Sequence, residues 1–274
     1  MKMKTKPVKK SIKVFFMASA LILISACRPT AERTYNEALV EIEKGHFRIA
    51  TDLLEKSANA EKKENEKFKY LLEAARIARF EIQDFDRAIR FYRAIILGAQ
   101  DENRRIKAQE AITEIYLENI QSYNLALREL QILEPLVKEE KEKEKIKLKI
   151  AQTQYLTGNY QPALDEINMA LKTSKTETMD FLKLKAQIFV AQKKYKEGID
   201  IYQEILKQDS AYFEKENLFI AASVVYEENE DFSAALDYLI KYENQIKDKA
   251  YYELRSKRLK ERLVNKPFYK GRRK

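Results

Sequence analysis

The chain has 274 residues but only one cysteine, one histidine, no tryptophan, five glycines and five prolines. One cysteine excludes an internal disulfide, and one cysteine with one histidine is too few for a four-ligand His/Cys zinc site. No glycine-rich phosphate loop is present, which removes that route to nucleotide chemistry. Carboxylates are plentiful, yet no pair stands out as an acid and base couple. Scarce glycine and proline also mean few turn formers, and no runs of alternating β-branched residues lie between turn signals. The charged fraction is 35%, and helix formers fill the rest of the pattern, so the composition predicts an all-α protein that is not an enzyme and needs no cofactor or metal.

Charge is unevenly placed. Of the basic residues behind the formal charge of +9, six lysines lie at or before Lys13, and Glu253 to Lys274 holds ten bases against two acids. The body between them carries a net charge of −5. This is an acidic body with a basic C-terminal end, which argues against a nucleic-acid binder.

The N-terminus has the three parts of an export signal. A basic stretch to Lys13 precedes an apolar run over Val14 to Ile24, then Ser25, Ala26 and Cys27. A membrane-crossing helix needs about 20 apolar residues, and this run is shorter. Ile24-Ser25-Ala26-Cys27 resembles the bacterial lipobox, which implies cleavage before Cys27 and lipid attachment to it. By the same resemblance Arg28, in place of aspartate, implies transport to the outer membrane, with the protein facing the periplasm.

The body of the chain repeats. An aromatic followed three residues later by a small residue recurs as Phe47/Ala50, Phe85/Ala88, Tyr123/Ala126, Tyr160/Ala163, Tyr195/Gly198 and Phe232/Ala235, with the small residues 38, 38, 37, 35 and 37 apart. Four residues after each small one stands Leu54, Tyr92, Leu130, Ile167, Tyr202 or Leu239. A fixed period in a helical pattern is the mark of a helix-pair solenoid. The small residue sits where two helices must approach closely, since a large side chain would hold the axes beyond the usual spacing of about 8 to 10 Å. Ser122, Asn159 and Asp231 stand at helix N-cap positions, Pro162 falls in a first turn, and Pro135 should end the third B helix. Tyr116 precedes Tyr123 by seven residues where the equivalent pair in repeat six is six apart, which predicts one extra residue in that turn. The charged run Lys138 to Lys147 reads as a solvated helix start.

Phe219, Ala222, Ser223 and Tyr226, followed by Phe232, Ala235, Leu239 and Tyr242, resemble the tetratricopeptide repeat, although the period exceeds that family's length of about 34. The resemblance implies a right-handed α-α superhelix of about six helix pairs. The expected organisation is a signal peptide at 1–26, a lipidated Cys27 with a short tether to residue 32, a solenoid at 33–246, a capping helix at 247–264 and a basic disordered tail at 265–274.

In such a solenoid the outward residues of helix A line a concave groove. By resemblance these are Tyr35, Leu39, Ile77, Phe80, Leu148, Gln152, Tyr155, Gln187, Val190, Ile220 and Val224. Their apolar and aromatic character suits a bound peptide. The positions that hold a carboxylate-clamping asparagine in chaperone-binding members of that family carry Leu39, Ile77, Gln152, Gln187 and Val224 here, with Glu114 in repeat three, so that specialisation is not implied. His46, the only histidine, reads as a solvated turn residue. The function expected is a lipid-anchored scaffold in the bacterial envelope, recruiting a protein partner, binding the membrane through Cys27, and taking no nucleic acid or small-molecule substrate. Alternatives are a part of the outer-membrane protein assembly machinery, a regulator of a cell-wall hydrolase, and a self-associating envelope protein.

Overall fold

The structure is a computed structural model that describes residues 30–174 and 176–265; the export segment, Cys27 and the chain beyond Asn265 lie outside them. The described residues form helices and turns, with no strand among them. No described helix is long and apolar enough to cross a membrane. The chain divides into two compact units, Met1–Gln121 and Ser122–Lys274.

The first unit holds α1 (Ala31–Glu43), α2 (Phe47–Ala60), α3 (Glu64–Ile77), α4 (Phe85–Gly98) and α5 (Glu102–Glu114). Single π-helical turns prolong α3 over Ala78–Ile82 and α5 over Ile115–Asn119. The second unit holds α6 (Tyr123–Leu133), α7 (Glu140–Leu156), α8 (Tyr160–Ala170), α9 (Thr178–Ala191), α10 (Tyr195–Gln208), α11 (Ser210–Lys215), α12 (Leu218–Glu228), α13 (Phe232–Lys241) and α14 (Lys249–Asn265). Within each unit helices pack on their neighbours in sequence, and short turns join them as helical hairpins.

Every aromatic of the repeat is the first residue of its B helix: Phe47, Phe85, Tyr123, Tyr160, Tyr195 and Phe232. The small residue three places on is fully buried in each of the five alanine cases, and Gly198 is buried too. At Gly198 a Cβ would come 2.9 Å from the Val190 Cγ2 methyl, so the seam between α9 and α10 has no room for more than hydrogen. The larger residues four places on, Leu54, Tyr92, Leu130, Ile167, Tyr202 and Leu239, are at most 4% exposed. Within each unit the burial of these two positions makes the paired helices layers of core.

The turns between A and B helices share a feature that the sequence pattern did not disclose. Gly45, Gln83, Gln121, Gly158, Lys193 and Glu230, each two residues before the opening aromatic, have φ between 55° and 75°. In four repeats the next residue donates its N–H to a carbonyl five places back: His46 to Glu41 (2.8 Å), Asn159 to Gln154 (2.9 Å), Lys194 to Phe189 (2.8 Å) and Asp231 to Tyr226 (2.9 Å). This left-handed cap ends helix A, and the residue that closes it is already the N-cap of helix B. Glycine fills the position at no steric cost in only two of the six.

The extra residue expected in the turn of repeat three lies inside the helix instead, as the π-helical turn Ile115–Asn119, and repeat two carries its own at Ala78–Ile82. The left-handed cap fixes the turn, so an added residue is absorbed upstream, where one wider helical turn holds it. Ser122, Asn159 and Asp231 all occupy N-cap positions, but only the Asp231 carboxylate accepts a cap hydrogen bond, from the Ala234 N–H at 3.1 Å. Asp84, Asp101 and Asp209 cap in the same way. Pro162 is the third residue of α8, and Pro135 sits in the 3-10 turn that follows α6.

Helix α11 was not expected. Asp209 stops α10 and caps this short helix, which buries Phe213 completely. Tyr212 Oη donates to Asp180 at 2.7 Å, and Lys183 Nζ pairs with Asp180 and Glu216 at 3.0 and 3.1 Å. Helix α14 buries Leu259 and leaves Leu263 38% exposed. Its Arg255 and Arg262 both reach the Glu227 carboxylate of α12, at 2.6 and 2.8 Å.

Candidate functional site

An apolar groove of about 790 Å3 lies within the first unit. Its floor and walls come from α1 (Ile42), α3 with its π-helical turn (Phe68, Leu72, Ile77, Phe80), α4 (Tyr92, Ile95) and α5 (Ala108, Ala111). The α3 contribution follows helical geometry: Phe68, Leu72, Arg76 and Phe80 stand four apart and form one ridge along the helix. Leu72 is 47% and Phe80 57% exposed, unusual for residues of that size facing a recess. Alanines on α5 keep the opposite wall low.

The rim is cationic. Lys69, Arg76, Arg79, Arg104 and Lys107 line the groove against Glu73, Glu81 and Glu114. Arg79, 6% exposed, is committed: its guanidinium donates to Glu114 (2.9 Å), Glu118 (3.1 Å) and Asn119 (3.0 Å), and it lies 4.8 Å over the Phe80 ring. Three acceptors at the end of helix α5 therefore hold the base of Phe80 in place. Arg104 is also engaged, with Asn65 at 2.8 Å and Asp101 at 3.5 Å. Arg76 and Lys107 are exposed and form no ion pair or hydrogen bond among the described residues. Tyr92 forms part of the floor; burial pushes its phenol above the ordinary value, partly offset by Arg79 and Arg76, so it stays neutral.

The residues expected to line a groove divide into three sets. Ile77 and Phe80 lie in this recess, although Ile77 is also part of the apolar core at 8% exposure. Tyr35 and Leu39 are half-buried on α1 outside it. The Tyr35 ring stacks on Tyr70 at 4.5 Å, and its hydroxyl donates to Glu73 at 3.1 Å. Burial and the Glu73 charge raise its pKa. The remaining seven belong to the second unit. Leu148 is a correction: it is 9% exposed and packed into a core cluster, because α7 turns that side toward α8 and α9. Val190 is half-buried, with a methyl against the seam at Gly198. Ile220 packs against the core of the second unit, and Val224 is half-buried. Tyr155 is half-buried with its ring 6.0 Å from Tyr160, while Gln152 and Gln187 are exposed.

Phe68, Leu72, Arg76, Arg79 and Lys107 were missed. A signal existed for two of them: the four-residue spacing that ends at Phe80 projects Phe68 and Leu72 onto the same helix face, whereas the three cations carried none. His46, the N-cap of α2, is exposed with Nδ1 2.7 Å from Glu41. Hydrogen bonds from Lys44 and then His46 hold the Glu41 carboxyl below the usual range. Among the described residues no group of three or more His, Cys, Asp or Glu is placed to hold a metal ion.

A family model described as anaphase-promoting complex, cyclosome, subunit 3 matches residues 128–205. No curated protein matches the chain by sequence. Among solved structures, a tetratricopeptide repeat protein from Parabacteroides merdae aligns with TM-score 0.54 at 15% identity, covering 86% of this chain and 88% of that one. The C-terminal part of a TPR repeat-containing protein from Cytophaga hutchinsonii aligns with TM-score 0.57 at 16% identity, over 89% of this chain and 92% of that one. The tetratricopeptide repeat sensor protein of the signal transduction ATPases with numerous domains, from Pyrococcus horikoshii, gives TM-score 0.58 at 15% identity over 85% of this chain and 39% of its own. With the six buried small residues, the aromatic at each B-helix start and the shared left-handed turn, these likenesses establish the fold as a tetratricopeptide-type α-α solenoid.

Proposed function

We propose that this protein is a non-catalytic scaffold of the bacterial envelope, anchored through a lipid on Cys27, that recruits a partner protein through the groove of its first unit. The single observation that carries the recruiting role is Phe80: a large aromatic, 57% exposed, fixed over an apolar recess by the buried Arg79. Leaving such a ring in water costs hydrophobic free energy that a partner would recover on covering it. The anchor rests on the sequence, on the lipobox residues Ile24 to Cys27 and the basic, apolar stretch before them.

A photo-crosslinking side chain placed at Phe80 tests the groove in living cells, with Leu97, 87% exposed and outside the groove, as the control position. The expected result is one discrete adduct from position 80 and none from 97. Equal labelling from both, or none from either, overturns the recruiting role. Cys27→Ser tests the anchor separately: it should move the protein from the membrane fraction to the soluble fraction.

A further inference from the structure

Resting on the proposed groove, we infer that the segment it takes is an acidic peptide, a bulky apolar side chain flanked by carboxylates. Two kinds of groups divide the work. The recess between Leu72, Phe80 and the α5 alanines is apolar and sized for a large side chain. Arg76 and Lys107 stand at its edge on α3 and α5, both exposed and both without an ion-pair partner among the described residues.

That pair is unusual within its surroundings. The neighbouring arginines are consumed internally, Arg79 by Glu114 and Glu118 and Arg104 by Asp101 and Asn65. Of the acids at the groove, Glu114 is bound to Arg79, Glu73 accepts the Tyr35 hydroxyl and keeps its charge, and Glu81 is exposed on the π-helical turn. The lining as a whole carries five basic residues against three acidic ones, a net positive charge, on a chain whose body between its basic ends carries −5. A basic or neutral segment gains nothing from the two free cations, whereas a carboxylate beside the apolar anchor meets them directly. Such complementary charge acts first on association and on partner choice.

The test is selection of a displayed library of random dodecapeptides on the full chain in detergent, in parallel with the Arg76→Glu/Lys107→Glu double variant. Both positions are exposed, so the variant should keep the parent far-UV circular dichroism. The expected result is enrichment of Asp or Glu on either side of an aromatic or leucine. A synthetic peptide of that selected sequence should bind the double variant about tenfold or more weakly, and its binding to the parent should weaken with added salt. Enriched peptides that lack acids, or that bind parent and double variant alike, overturn the acidic assignment while leaving a groove that binds peptide. No enrichment at all overturns both this inference and the groove reading. Anionic phospholipid vesicles that bind the parent, spare the double variant and displace the selected peptide would reassign the cations to a lipid surface and overturn the peptide.

Discussion

The two units use one repeat pattern and arrive at different surfaces. Counted back from the aromatic that opens helix B, Phe80 in the first unit and Val190 in the second stand at the same place, five residues before Phe85 and Tyr195. Val190 points into the seam and touches Gly198, whereas Phe80 lies open in a groove. The helix between differs: Phe80 is in the π-helical turn Ala78–Ile82, and Val190 belongs to an unbroken α-helix. One wider turn rotates the side chains that follow it, so an inserted residue converts a packing position into a presenting one. The second unit invests its aromatics inside instead. Phe219 stacks on Tyr242 at 4.6 Å, and Phe213, Tyr226 and Tyr238 complete the cluster.

Four measurements would break or sharpen this contrast. The largest effect belongs to the second unit: Phe219→Ala, at a fully buried ring, should cost about 4 kcal/mol in urea denaturation. The corresponding lesion in the first unit, Arg79→Met, should cost about 2 kcal/mol, because Glu114 and Glu118 are half exposed and can return to water. The contrast fails if the two lesions cost the same, or if Arg79→Met leaves crosslinking from Phe80 unchanged.

Smaller effects come from the turns. Lys193→Gly and Gln83→Gly, at φ of 61° and 57°, should each stabilise by about 0.5 to 1 kcal/mol, and Gly158→Ala should destabilise by about 1 kcal/mol. A loss of stability in the glycine variants would show that their side chains make contacts worth more than the backbone strain. The mildest effect is in acid titration. Burial and then Glu134 raise the Glu166 carboxyl pKa, so the folded chain binds that proton more tightly than the unfolded one. Stability is withheld above the raised pKa and returns as pH falls through it. Glu166→Gln should therefore melt higher than the parent at neutral pH, and the gap should be gone by about pH 4. Glu41 in the first unit runs the other way: its pKa is lowered, and its contribution is lost as pH falls through the depressed value.

Much of this was legible in the residues. The aromatic and small pairs placed the start of each B helix and the seam beneath it, because close helix contact tolerates little beyond a methyl group. Ser122, Asn159 and Asp231, with Pro162 and Pro135, marked several helix ends. The groove was less legible. A repeat position transferred to Leu148 assumes an unbroken α-helix with one face toward a partner, and that residue lacks the freedom. Phe80 was found by the same transfer, but for a reason the transfer did not contain. Arg76 and Lys107 drew no notice, since two cations among 52 basic residues carry no signal until their neighbours are seen to be paired.

By itself the sequence determined a stack of helix pairs, its period and its seams, because those follow from local spacing along each helix. It left to the tertiary structure which side chains remain uncovered and which charges remain unmatched. Both depend on partners 30 to 40 residues away, as Arg79 shows with Glu114 and Glu118. Burial and ion pairing are sums over neighbours that only the folded chain brings together.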